Sequence, residues 1–325
     1  MTEETLTTET VLGRIDPRRR IDAISAVLLP FDDAGQPDYD ALAAHVARTA
    51  DAGLTPAVNM DTGYVDRLSP KQRGEVLGIA KATLGNRPFV AGVFVQDGDR
   101  QRDLIAHYRQ GIEGIEALGG TPILFQCPTL AALPGPEVVA FYRQVSVGSQ
   151  GLLAFELGRQ FAPFGRIYDL DTVRGLLEIE AITGLKHSSL DRHLEWQRLA
   201  LRDRVRPTFK IYTGNDLAID MVIYGSDYLL GLSTFAPEAF ALRDRLWATG
   251  DARFYALNDL LQYLGFFAFR PPTTAYKHSA AQFLHLRGEI PGDAPPPGAP
   301  CRPASDRAVL ADISQRLQEW LDEAI

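Results

Sequence analysis

Ile182-Thr-Gly-Leu-Lys-His-Ser-Ser-Leu-Asp191 is a short apolar run that reads as a strand, and it carries Lys186 where an apolar residue is expected. A lysine in a strand covered on both faces either breaks the core or is there for its amine. Burial disfavours the ammonium form, so the pKa falls toward neutrality and the free amine becomes a nucleophile for a carbonyl group. The alternative is an edge strand whose lysine snorkels into water. The rest of the chain decides between these two readings.

Outward from this stretch, apolar strands and amphipathic helices alternate in both directions. Before it come strand 24–31 closed by the turn residues Asp32 to Gly35, helix 39–52 stopped by Gly53, strand 55–60, helix 70–84 and strand 89–95. Helix 101–118, strand 121–127, helix 136–147, strand 151–157 and helix 170–178 follow. After it come helix 191–203, strand 208–214, helix 216–224, strand 227–233 and helix 237–248. Eight successive βα units specify a parallel sheet and favour an α/β fold of the closed (β/α)8 TIM-barrel type over an open doubly wound sheet. No Gly-x-Gly-x-x-Gly follows the first strand, which weakens a dinucleotide-binding reading. Residues 1–20 are expected to form an N-terminal tail, 21–250 the barrel and 251–325 a C-terminal helical extension packed on it. The extension contains helical stretches over 254–269, 273–286 and 306–323, with Pro/Gly-rich 291–303 as a stiff surface connection.

The chain has 325 residues, 46% hydrophobic and 23% charged, and a mean hydropathy of -0.09, so a large soluble core is expected and a membrane span is not. A net charge of -8 and a pI near 5.3 argue against a nucleic-acid surface. Arg18-Arg19-Arg20 reads as a solvated turn. Cys127 and Cys301 lie far apart, and no two histidines share metal spacing on one helix face, so no metal and no disulfide framework is expected. The Thr/Glu-rich start has no apolar signal region, which together with the two cysteines points to the cytoplasm.

In a (β/α)8 barrel the site lies at the carboxyl ends of the strands. The polar residues gathered there are Asp61, Thr62 and Tyr64 after strand two, Gln96 and Asp97 after three, and Gln126 and Thr129 after four. Glu156 and Arg159 follow strand five, Lys186 lies on six, Tyr212, Thr213 and Asp216 surround the end of seven, and Ser233 and Thr234 follow eight. Inside such a barrel the snorkelling reading of Lys186 loses its solvent.

The ordered series Leu29-Pro-Phe31 with Asp33-x-Gly35, Asp61-Thr-Gly63 with Leu68-Ser69, Gly184-Leu-Lys-His-Ser-Ser-Leu-Asp191 and Gly214-Asn-Asp216 resembles the dihydrodipicolinate synthase/N-acetylneuraminate lyase family across nearly the whole chain. The resemblance implies a class I, metal-independent lyase or hydro-lyase without a cofactor, in which Lys186 forms an imine with a 2-oxo acid or related carbonyl compound. It also implies a homo-oligomer, dimer or tetramer. The substrate carboxylate would be held at Asp61, Thr62 and Gly63, where the family has paired hydroxyls and this chain keeps one. The family's strand-five tyrosine falls on Phe155, and its tyrosines after the strand-four proline fall on Thr129 and Leu130, so its tyrosine relay is missing.

Tyr64 and Glu156 are the candidates for the missing acid/base, Glu156 because apolar Phe155 and Leu157 beside it would raise its pKa. Arg159, Thr129 and Ser233 are candidate substrate contacts, with a surface salt bridge an equal reading of Arg159. His187 alternates away from Lys186 along the strand and reads as packing between strand and helix. Tyr212, Asn215 and Asp216 read as turn and cap residues. Two rivals stay open: a ligand-binding barrel without chemistry, and an enzyme using Lys186 as a base without a covalent adduct.

Overall fold

A computed structural model describes residues 6–96 and 101–323, with side chains from 104 onward in the second span. Asp97 lies outside the described residues. Eight parallel strands close into a barrel in chain order: β1 (Ala23–Ala26), β2 (Thr55–Val58), β3 (Val90–Val93), β4 (Thr121–Leu124), β5 (Leu152–Leu157), β6 (Ile182–Ser188), β7 (Lys210–Thr213) and β8 (Asp227–Leu230), with β8 pairing back onto β1. Closure leaves no edge strand, and the strands are covered by a helix-side core on one face and the barrel interior on the other.

Around it lie α2 (Tyr39–Asp51), α3 (Pro70–Leu84), α4 (Gln101–Ala117), α6 (Gly135–Val145), α7 (Leu170–Leu177), α8 (Arg192–Val205) and α9 (Pro237–Thr249), preceded by the short α1 (Thr8–Leu12) and interrupted by the single-turn α5 (Pro128–Ala132). The starts of these helices are written in the chain. Ser69 and Gln72 form a reciprocal capping box with Pro70 in the first turn of α3, and Asp38, Asp169 and Asp191 accept backbone N–H groups at the starts of α2, α7 and α8.

Two expectations change. The seventh unit has no α-helix: Ile219–Tyr224 is a 3-10 segment whose Ile219, Met221, Val222 and Ile223 are all buried, and with Asp220 as its one charged residue it lacks the broad polar face that a surface helix turns outward. The arginine cluster is not a solvated turn either. Arg18 and Arg20 are exposed, but Arg19 reaches under the barrel to Asp227 (2.6 Å) and to the carbonyls of Val222 and Ser226. Asp227 also takes Lys210 Nζ at 2.9 Å, so the bottom of the barrel is closed by compensated charge.

Along β5 and β6 the side chains alternate between two cores. Leu153, Phe155 and Leu157 join Ile24, Ala57, Val90, Ile123 and Tyr212 in the barrel interior, whereas Ala154 and Leu185 face the helices. The register places Phe155, Lys186 and Tyr212 side by side in one layer, and Glu156, His187 and Thr213 side by side in the next. Three further helices, α10 (Arg253–Ala268), α11 (Tyr276–Leu286) and α12 (Asp306–Asp322), follow the barrel, and α10 and α12 pack on α9.

Candidate active site

Lys186 points inward from β6 near the carboxyl end of the barrel and is only 7% exposed. Its Nζ lies 4.6 Å from the centre of the Phe155 ring, which in turn meets Phe125 edge-on at 5.0 Å. The amine makes no hydrogen bond and no ion pair among the described residues. A ring face offers an ammonium ~0.5–2 kcal/mol, less than the several kcal/mol that removing it from water costs. Burial therefore pushes the Lys186 pKa down from 10.5 to about 8, against the charges of Asp216 and Asp61, which hold it up. Roughly a tenth of the amine is then free at pH 7, against roughly one part in three thousand for an ordinary lysine. Gly214 makes room for this arm: a Cβ there would lie 2.9 Å from Lys186 Cε and 2.1 Å from Ser188 Oγ.

Asp216, read from the sequence as a turn residue, belongs to the same site. It is buried, accepts the Leu232 N–H at 2.7 Å, and is held up to about 7 by burial, against hydrogen bonds from the Leu232 and Gly231 N–H groups and the charge of Lys186. Lys186 and Asp216 thus feel each other's charge without an ion pair joining them. The neighbouring Asn215 does act as a turn residue, accepting the Leu217 N–H at 3.1 Å, and Tyr212 sends its hydroxyl away from the strand ends to Asp22 (2.9 Å).

The third part of the site is the 3-10 turn Asp61–Gly63 after β2. Thr62 Oγ1 meets the Tyr276 hydroxyl at 2.8 Å, that hydroxyl donates to Asp61 Oδ2 at 3.0 Å, and Lys277 Nζ donates to Asp61 Oδ1 (3.0 Å) and to the Asp61 carbonyl (3.2 Å). Gly63 sets the turn against β1, where a Cβ would come within 3.3 Å of the Val27 carbonyl. Gly231 lets Tyr276 in, since a Cβ there would lie 3.0 Å from its ring and 3.2 Å from Thr62 Oγ1. Tyr276 and Lys277 open α11, and both are buried. Nothing in the helical periodicity of the extension marks them as site residues. Their signal is a Tyr-Lys pair in a helix with no acidic neighbour of its own.

Other candidates sit elsewhere. Glu156 is not at the rim beside Lys186: strand alternation turns it to the helix side, where it is fully buried and receives Arg198 through Nε and Nη2 (2.9 Å to Oε2), His187 Nδ1 (2.6 Å) and the Tyr168 N–H (2.8 Å). Burial alone would raise its pKa, but the charge of Arg198, then that of His187, overrides this and holds it at about 2. A carboxylate so fixed carries no proton near neutral pH.

Tyr64 likewise leaves the mouth. It adopts left-handed backbone (φ 55°), and its ring packs in the helix-side core against Phe31, with Lys277 Nζ 4.7 Å from its centre. Burial, then the charge of Asp61, raises its pKa out of any useful range. Ser233 is turned to the outer face of β1, where its hydroxyl donates to Ser25 Oγ at 2.8 Å, so it does not face the interior. Thr129 is half-buried in the first turn of α5. Arg159 is exposed and lines a cleft of about 450 Å³ with Phe164, Ser189 and Asp191, outside the barrel interior. No group of three or more His, Cys, Asp or Glu among the described residues is disposed to hold a metal ion.

The fold and this mouth define a (β/α)8 barrel with a desolvated lysine on its sixth strand. The family model described as a protein of unknown function, DUF993, matches residues 33–294, so the chain belongs to the DUF993 family, a divergent member of the dihydrodipicolinate synthase/N-acetylneuraminate lyase barrels. Among its relatives is a 4-hydroxy-tetrahydrodipicolinate synthase from Kosmotoga olearia, 26% identical over 66% of this chain and 71% of the relative. An uncharacterized DapA-like lyase from Halobacterium salinarum is 24% identical over 70% of this chain and 71% of that protein. The prophage protein YagE of E. coli K12, a dihydrodipicolinic acid synthase family member solved in complex with pyruvate, superposes with a TM-score of 0.77 at 16% identity, over 92% of this chain and 98% of that one. Kinship thus places the chain in a lyase family. No helix among the described residues is long and apolar enough to cross a membrane.

Proposed function

We propose that this protein is a Schiff-base-forming, aldolase-type lyase that acts on a small carbonyl compound through Lys186, and that Asp216 moves the protons the lost tyrosines would have moved. The observation that carries the reading is an amine buried inside the barrel with a ring face and two aspartate charges around it and no hydrogen-bond partner. A structural lysine is paired; one kept near its free-amine form is suited to attack. That YagE was solved in complex with pyruvate supports a small carbonyl ligand for a barrel of this kind.

In this scheme the Lys186 lone pair attacks the carbonyl carbon, and the carbonyl oxygen takes a proton to give a carbinolamine. That oxygen leaves as water with a second proton, and an iminium remains. The substrate bond one carbon removed then breaks with its electron pair drawn into the C=N group, leaving an enamine, while the proton of the departing hydroxyl passes to Asp216. The same proton returns to the enamine carbon, and water hydrolyses the iminium to free the amine. Asp216 suits this role because it is held at about 7, where a carboxyl both takes and gives a proton. Its negative charge also stabilises the iminium. Homo-oligomer formation and a cytoplasmic setting belong to the same reading.

Borohydride reduction in the presence of carbonyl compounds, followed by intact mass and peptide mapping, tests it. An adduct should form at Lys186, and Lys186→Arg should keep the charge and lose the adduct entirely. Absence of any adduct in folded protein would favour the ligand-binding barrel.

A further inference from the structure

The imine chemistry leaves open which carbonyl compound Lys186 meets, and the turn after β2 speaks to that. We infer that the substrate is a neutral, hydroxylated aldehyde or ketone whose hydroxyl groups donate hydrogen bonds to Asp61 and Thr62, and not a 2-oxo acid held there by its carboxylate. This rests on the imine reading of Lys186.

The direction of the hydrogen bonds decides it. An ionised carboxylate only accepts, so the Tyr276 hydroxyl must give its single proton to Asp61 Oδ2 (3.0 Å). The contact between Thr62 Oγ1 and the Tyr276 hydroxyl (2.8 Å) must then be donated by Thr62. The Thr62 hydroxyl has no second proton, so this side chain offers the mouth only lone pairs. Asp61 does the same: each of its oxygens takes one bond, from Lys277 and Tyr276, and a carboxylate has about four lone-pair sites. Its side chain is 21% exposed, whereas Lys277 is 6% exposed and engaged with Asp61 Oδ1 and the Asp61 carbonyl. The side chains of the turn therefore present acceptors to the substrate and keep their cation behind them. A substrate carboxylate has no proton to give such a surface; a hydroxyl has one.

Charge counting agrees. Lys277 is already engaged by Asp61, so a carboxylate brought to this turn would meet the Asp61 carboxylate without a spare lysine to offset it. Like charge brought together in a partly desolvated site is unfavourable.

The test compares pyruvate with dihydroxyacetone at equal concentration, using brief borohydride trapping with the adduct mapped to Lys186. The intact protein should be trapped by dihydroxyacetone roughly tenfold or more faster than by pyruvate, a difference of about 1.4 kcal/mol or more. Asp61→Ser, which restores a hydroxyl donor to the turn, should narrow or reverse that order. If Asp61→Ser does not fold, Tyr276→Phe releases the Thr62 proton and should shift the ratio toward pyruvate. Trapping of the intact protein by pyruvate as fast as by dihydroxyacetone would overturn this inference and leave the imine standing. No adduct with either compound in folded protein would overturn the imine, and this inference with it.

Discussion

Strands β5 and β6 carry two pairs of neighbours one residue apart, and the barrel turns them to opposite sides. The outer pair, Glu156 and His187, is joined at 2.6 Å and closed off by Arg198 and the Tyr168 N–H, so every charge has a partner. The inner pair, Phe155 and Lys186, sets a cation against a ring and gives it no hydrogen bond. Burial is nearly equal in the two places. What differs is compensation: a buried charge that is fully paired holds strands and helices together, whereas one left unpaired is held at a cost in stability that function explains.

If the inner side is the chemical one, Asp216→Asn should lower turnover by ~10²–10⁴-fold, the usual contribution of a positioned acid/base, while the adduct at Lys186 still forms. Steady-state rates set beside borohydride trapping check this, and unchanged turnover would move the proton carrier elsewhere.

The outer side should answer in stability instead. Glu156→Gln leaves Arg198 buried without its carboxylate and is expected to cost ~3–5 kcal/mol in urea unfolding, with trapping per folded molecule unchanged. Because the folded-state pKa of Glu156 is depressed, its contribution is present above the ordinary 4.5 and is lost as pH falls toward about 2. The variant should therefore lose part of the acid dependence of unfolding in that window.

The smallest effect runs the other way. Lys186→Met removes a desolvated ammonium and should raise stability at pH 7 by up to about 3 kcal/mol. The Lys186 pKa is lowered on folding, so this gain is full below about 8 and fades as pH rises to 10.5. Unfolding curves at pH 7 and pH 10 would show it, and a destabilised variant at pH 7 would make Lys186 a structural residue like Glu156.

Most of the barrel was legible because period-two strands and period-3.6 helices leave different marks, and because Gly, Pro and Asp punctuate them. The 3-10 segment 219–224 was not, since six residues with Asp220 as the one charge are too short a stretch to show a period. Alternation placed His187 on the outer face; the same rule, carried to Phe155, puts Glu156 beside it and rules out the rim. Asp216 sits in a Gly-Asn-Asp sequence that satisfies turn chemistry just as well, and only the third dimension brings it to Lys186 and Leu232. Tyr276 and Lys277 lie more than two hundred residues from Asp61, a separation across which a single sequence carries no pairing signal.

That separation has a consequence for how the molecule comes into being. The eight strands can close before α11 exists, so during synthesis Lys186 is sheltered while Asp61 still lacks its counter-ion and Thr62 its acceptor. On the proposed reading, ligand recognition is completed by the last quarter of the chain. A protein cut before Tyr276 could retain a reactive lysine and yet have no means of choosing what reacts with it.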